Sequence, residues 1–398
     1  RYISTLSTSV DSWIIDGKKV QSTQKPTIVS STLTWEKVTT LDLGLDARFF
    51  NDALGVTFDW YNRTTSDILT TANLPATLGA DAPYENMGTI QTKGWELAID
   101  YRHTFKNGLH FGVTASVADD KTEVTKWTYN TKIPSYGATG WWDKSAYKEG
   151  MVLGDIWGLQ FDRFLTEDDF NADGSLKAGL PDQTKVFPAG YQFAPGDVLY
   201  KDLDNNGEIV KQTNTNDKGD LSVIGNALPR LQFGLNLDAA WKGFDISMFF
   251  QGVAKRKLWA AGNQVLPGFT TGEPFYKGAE DYWTPENTDA FYPRPMDYKQ
   301  SASGNYSVND RYLLNMAYLR LKTFTVGYSL PKVWLSKFKV QGLRVYFTGE
   351  NLFTIDGVKP AIDPEIGIRT ASGKSDQRNF GRSYPYQKTV SFGIQLSL

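Results

Sequence analysis

The sequence predicts an all-β fold: a transmembrane antiparallel β-barrel with long extracellular loops. Three observations carry that prediction. Apolar and polar residues alternate strictly through many runs, which gives one apolar and one polar face. The runs are joined by connections that are short at one end and long at the other, the pattern of an outer-membrane barrel. No run approaches the ~18 apolar residues that a membrane helix needs. The mean hydropathy of −0.39 is no objection, because alternating strands average to a polar score.

The strands are read in order. Leu41, Leu43, Leu45, Ala47 and Phe49 alternate with Asp42, Gly44, Asp46 and Arg48. After Asn51-Asp52, Leu54, Val56, Phe58 and Trp60 alternate with Gly55, Thr57 and Asp59. Trp95 to Tyr101 leads to Asn107-Gly108, a short hairpin signal because both positions tolerate positive φ, and on to Leu109, Phe111, Val113, Ala115 and Val117. Phe233, Leu235 and Leu237 turn through Trp241-Lys242-Gly243 into Phe244, Ile246, Met248 and Phe250. Phe324 to Leu330, then Leu343, Val345 and Phe347, then Val390 to Leu398 complete nine strands. Leu319 and Leu321 are out of phase with Phe324, which predicts a bulge or face change near Lys322. Crossing a bilayer takes ~9–11 tilted residues, which these runs supply.

Short connections fall near 51–53, 105–108, 241–243 and 331–341, and long ones near 70–85, 128–222, 259–310 and 356–381. Nine is odd, whereas bacterial single-chain barrels have even strand numbers. Arg1 and the lack of a signal-peptide pattern point the same way: a processed chain, or a piece of a longer one. Residues 1–32 are read as an extracellular loop and 33–398 as barrel.

Composition narrows the function classes. Lys+Arg is 42 and Asp+Glu 44 among 398 residues, with no basic excess for a nucleic acid. Cys is 0 and His is 2, which excludes a thiol nucleophile and a multi-histidine metal site. No Gly-x-Ser-x-Gly elbow, phosphate-cradling glycine loop or His-Glu-x-x-His stands in the sequence, so no catalytic residues are assigned. Asp42, Asp46, Glu96, Asp100, Arg102 and Asp238 on polar faces would line a water-filled interior. Trp35, Trp60, Tyr61, Trp95, Tyr101, Trp241 and Tyr328 near strand ends fit interfacial girdles, with core or lumen packing as the competing reading.

Aromatics are dense in segment 259–310, and segment 128–222 adds Trp141, Trp142 and Trp157. Trp141, Trp142, Trp157, Tyr282, Trp283, Phe291 and Tyr292 are the candidate substrate- or partner-binding residues. Exposed aromatics stack on sugar faces or anchor a protein. Alternatively, long ordered loops need such residues for small cores of their own. Asp202-Leu203-Asp204-Asn205-Asn206-Gly207-Glu208 places oxygens at alternate positions with glycine sixth, the first half of a calcium loop. The twelfth position, where a carboxylate belongs, holds Thr213. The competing reading is an Asx-rich turn without an ion. Asp169-Phe170-Asn171-Ala172-Asp173-Gly174 is read as a turn.

Several stretches resemble the C-terminal half of SusC/RagA-like TonB-dependent transporters of Bacteroidetes outer membranes. They are Leu33-Thr34-Trp35-Glu36, Leu41 to Asp46, Asn86-Met87-Gly88, Lys93 to Leu97 and Gly196 to Asp204. Ile224-Gly225-Asn226, Gly243 to Gly252, Tyr318 to Lys322, Gly349 to Phe353 and Tyr384-Pro385 follow in order. The resemblance implies a barrel of about 22 strands, of which these are the C-terminal ones. It also implies an N-terminal plug domain that is absent from this sequence. TonB would drive import of oligosaccharides or peptides, and a SusD-like lipoprotein would lid the mouth. Aligned on Ile224-Gly225-Asn226, Asp220 takes the place of the missing carboxylate, which gives Asp202, Asp204, Asn206, Glu208 and Asp220 as candidate ligands of a structural Ca2+. Many such barrels end in an aromatic; Leu398 departs from that. The rival readings are a passive porin-like barrel and a soluble all-β carbohydrate-binding protein or glycosidase.

Overall fold

The computed structural model describes residues 7–23, 28–71, 83–128, 148–211, 219–260, 262–269, 275–296, 304–335, 340–359, 362–365 and 384–398. Its main body is one nine-stranded antiparallel sheet in which each strand pairs with its sequence neighbour in the sheet. The strands are β1 (Lys37–Phe49), β2 (Leu54–Thr71), β3 (Tyr84–Thr104), β4 (His110–Trp127), β5 (Arg230–Trp241), β6 (Phe244–Lys255), β7 (Tyr318–Ser329), β8 (Gly342–Asp356) and β9 (Thr389–Ser397). All nine coincide with the alternating runs. No helix among the described residues is long and apolar enough to cross a membrane, which says nothing about strands.

Register turns the alternation into two surfaces. Leu43 pairs with Trp60, Trp60 with Trp95 and Ile99 with Ala115. Leu237 pairs with both Val113 and Met248, and Val345 with Ile394. These residues share one continuous apolar face. It is open to solvent in the isolated chain: Leu43 is 59% and Phe392 82% exposed. A water-soluble sheet would not leave such a surface uncovered, whereas lipid is its natural solvent. The opposite face is polar and internally paired. Arg48 donates to Asp100 at 2.8 Å, Arg344 holds Asp245 through two nitrogens, and Thr57 donates to Asp46 at 2.7 Å. Tyr61 belongs to this face, opposite Asp42 and Gly94. Its ring lies where a Cβ on Gly94 would sit, so it is a lumen-packing residue and not part of a girdle.

The short connections explain the hairpins. Lys242 (φ 48°) and Gly243 (φ 89°) form a two-residue turn between paired Trp241 and Phe244, the geometry that matches strand twist. At Asn107-Gly108 only Gly108 is left-handed (φ 83°). The Asn107 carboxamide oxygen instead accepts from Leu109 N at 3.0 Å, and Gly108 N donates to Phe105 O. The hairpin is therefore a longer loop with a glycine bulge, not the two-residue form that Asn-Gly suggests. The phase slip near Lys322 is a bulge: register shifts between Leu321 and Thr323 against β8, where Asn351 has φ 51°.

Residues 1–32, read as a loop, contain a hairpin of Thr8–Ile15 and Lys18–Thr23. Its turn is Asp16-Gly17, both left-handed, a hairpin signal left unread in the sequence.

Candidate functional site

Because β1–β9 meander, the four long connections emerge at one end of the sheet. Two of them, 128–229 and 256–317, fold against each other. Asp155–Gly158 pairs with Ser222–Asn226, Phe161–Phe164 with Val198–Tyr200, and Lys257–Leu258 with Leu314–Asn315. Leu159 N donates to Val308 O at 2.9 Å, which ties one connection to the other. Apolar side chains form two cores: one around Ile156, Trp259, Leu266, Tyr292, Tyr312 and Met316, the second around Leu159, Phe187, Tyr200, Leu221 and Trp283.

A polar hub joins them. Asp197 is fully buried and accepts from Arg294 Nε at 2.8 Å, Tyr191 Oη at 2.8 Å, Asn305 Nδ2 at 3.0 Å and Ala194 N at 2.9 Å. Both carboxylate oxygens are thus satisfied, Arg294 Nη2 adding a second donor to Oδ2 at 3.2 Å, which is the condition for burying a charge at low cost. Burial and then the Asp197 charge push the Tyr191 hydroxyl well above its ordinary pKa, so it stays a donor.

The predicted aromatic residues divide. Trp141 and Trp142 lie outside the described residues. Trp283 and Tyr292 are buried in the loop cores, and Tyr292 Oη donates to Val265 O at 2.9 Å. Trp157 and Phe291 are half-buried against those cores. Tyr282 is exposed at the surface. Beside it the loop 256–317 holds a cleft of about 460 Å³ lined by prolines, tyrosines and Phe275.

The predicted metal residues also divide. Carboxylate oxygens of Asp202, Asp204 and Asp220 lie within 4.8 Å of one another. Gly207 (φ 85°) makes the sharp turn, and its N–H donates to Asp202 at 2.8 Å. Asp220 is buried and accepts from Leu203 N at 2.7 Å and Val210 N at 2.8 Å. Burial, and then the Asp204 and Asp202 charges, raise its pKa against those hydrogen bonds. Asn206 donates to Asp204 and its oxygen accepts from Glu208 N. The Glu208 carboxylate turns away to pair with Lys185. Asp169, in the segment read as a turn, is held at about 2 by bidentate Arg163 hydrogen bonds and the Thr166 amide.

A charged clamp went unread in the sequence. Arg320 pairs with Asp363 at 2.8 Å and Glu365 at 2.9 Å, Lys322 pairs with Glu365 at 2.9 Å, and the Tyr386 ring lies 4.7 Å from Lys322 Nζ. It binds the last long connection to the polar face of β7. The only signal for it was the slip at Lys322, since nothing local marks Asp363 or Glu365.

Comparisons with known proteins agree with this geometry. The family model described as TonB dependent receptor-like, β-barrel matches residues 5–352. TonB-dependent receptor P3 of Formosa agariphila is 27% identical over 395 residues, covering 96% of this chain and 36% of the relative. TonB-dependent receptor SusC of Bacteroides thetaiotaomicron is 24% identical over 391 residues, covering 96% and 34%. The chain therefore spans about a third of the length of these curated relatives. A solved structure described as the RagAB peptide transporter superposes with TM-score 0.67 at 20% identity, over 99% of this chain and 38% of that one. At that identity it shows a shared fold.

Proposed function

The chain belongs to the TonB-dependent receptor-like β-barrel family, and from that premise we propose that it is the C-terminal barrel part of an outer-membrane importer. The nine strands are a section of the transmembrane wall. The co-folded long loops frame the extracellular mouth, against which a SusD-like lipoprotein closes. A plug, carried by a part of the protein outside this sequence, gates the lumen and couples to TonB. Substrates are oligosaccharides or peptides, with loop aromatics favouring glycans. This chain binds and encloses; it performs no covalent chemistry.

The observation that carries the reading is the two-faced sheet. An apolar face runs unbroken across nine strands, and the paired polar face suits a water-filled lumen. Such a wall needs lipid outside and water inside. The test is uptake of labelled oligosaccharides by cells carrying the full-length protein. Import should stop when TonB is deleted or the proton gradient is collapsed. Uptake that continues unchanged without TonB would make the protein a passive porin.

Asp202, Asp204 and Asp220 are proposed to hold a structural calcium ion. Oxygens up to 4.8 Å apart fit a cation that takes ligands at ~2.3–2.6 Å, and three hard carboxylates suit it. The ion would offset their mutual repulsion and stiffen the segment around 203–220. Calcium should therefore slow proteolysis within 190–225, and Asp220→Asn should remove the protection. Cleavage unchanged by calcium would sink this reading.

A further inference from the structure

The cleft in the loop 256–317 has a rigid floor and exposed walls. Tyr292 and Tyr306 form the floor; both are nearly fully buried and belong to the larger loop core. Tyr292 is further fixed by its hydrogen bond to Val265 O and by stacking with Tyr312. The walls are Phe275, Tyr276 and Tyr282, respectively 58%, 38% and 40% exposed. Their placement is not loose. Trp283 N donates to Tyr292 O and Tyr292 N to Asp281 O, which pins Tyr282 beside the floor. Gly268, at φ 75°, turns the backbone beside the Phe275 ring, close under Met296 O. Pro293 and Pro295 stiffen the remaining side. Pre-ordered aromatic faces left open to water are what a ligand can exploit without an ordering cost.

We propose that this cleft is a carbohydrate-binding site that takes a short stretch of a neutral oligosaccharide. The inference rests on the import reading and names the substrate class for it. Ring C–H faces stack on the exposed aromatics. Lys277 and Glu280 at the cleft supply a donor and an acceptor for hydroxyls, and their opposite charges leave no net charge to select an anionic sugar. A peptide is a poorer match. The 281–283 and 292 backbones are already paired with each other, so no strand edge is open for β-addition. An uninterrupted run of prolines offers only acceptors and has no use for Glu280.

The experiment uses the full-length protein in detergent on an array of neutral and anionic oligosaccharides, followed by calorimetry. At least one neutral oligosaccharide should bind. Tyr282→Ala and Phe275→Ala should each weaken it by about tenfold, Tyr282→Trp should retain it, and Tyr384→Ala, at an exposed ring outside the cleft, should change nothing. No array signal, equal binding by the two alanine variants, or capture only of proline-rich peptides would overturn the proposal. Energy-dependent uptake that survives Tyr282→Ala and Phe275→Ala at the wild-type rate would remove the cleft and leave the import reading standing. Uptake independent of TonB would strike the import reading alone.

Discussion

Leu237→Arg offers a quantitative test of the wall. Leu237 lies on the apolar face of β5, between Val113 on β4 and Met248 on β6. Its diagonal neighbours there are Phe111, Ala115, Ile246 and Phe250, so an arginine meets no carboxylate on that face. Depth follows from counting. Leu237 is four residues from Trp241 at the short turn, and a strand rising ~3.3 Å per residue with ~40° tilt covers about 10 Å in that distance. The apolar band of such barrels is ~25 Å tall, so Leu237 sits near its middle. A cationic side chain there costs ~2–4 kcal/mol, against ~0–1 near the interface. Trp241→Arg is therefore the shallow control. Asn236→Arg is the lumen control, because Asn236 faces the polar side opposite Thr114, with Asp238 two residues on, and should stay within ~0.5 kcal/mol. The assay is urea unfolding of the full-length protein in phospholipid vesicles, followed by gel mobility and tryptophan fluorescence. The folded-to-unfolded ratio for Leu237→Arg should fall at least ~10-fold below that for Asn236→Arg. Equal losses, or a larger loss at Asn236, would refute the assignment of faces.

Other consequences concern the loops. Trp283→Ala empties the second loop core and should cost ~3–5 kcal/mol, seen as faster proteolysis within 155–310 while the strands stay protected. Arg320→Ala leaves the buried Asp363 carboxylate without its cation and Glu365 with Lys322 alone, and should cost ~3–5 kcal/mol of local stability; unchanged hydrogen exchange at 362–365 would contradict the clamp. Asp169 has a folded pKa of about 2 against an ordinary 3.8. Its contribution is complete above pH ~4 and disappears as pH falls toward 2. Protease resistance around 161–177 should therefore drop across that window, and the Asp169→Asn variant should show a flat profile.

Period-two alternation and turn chemistry made the wall legible because each wall strand buries or exposes a whole face at once. Even the bulge at Lys322 was visible, as two leucines in the wrong phase. The loop cap was less so. Its tertiary contacts join residues far apart, such as Val198 N with Asn305 Oδ1 and Arg294 with Asp197, and no local pattern encodes them. Aromatic density marked the right loops but not the division of labour: Trp283 and Tyr282 are adjacent, yet one is core and the other cleft wall. The calcium-loop pattern marked Asp202 and Asp204, but it was the family resemblance that added Asp220, whose carboxylate lies within 4.8 Å of theirs. The pattern also included Glu208, whose carboxylate goes to Lys185, a residue no loop template contains. Asp16-Gly17 shows the converse, a plain hairpin signal passed over within a segment assumed to be loop.

These 398 residues contain no cysteine, so site-directed labels within them give the most direct test of the central claim once any cysteine elsewhere in the full-length protein is replaced by serine. Single cysteines at positions 233 to 238 in the full-length protein, each carrying a nitroxide in lipid vesicles, report their surroundings by collision. Oxygen concentrates in lipid and a nickel chelate in water. Positions 233, 235 and 237 should favour oxygen, and 234, 236 and 238 should not, in strict alternation. Uniform access of the nickel chelate, or alternation in the opposite phase, would mean that this sheet is not the wall of a membrane barrel.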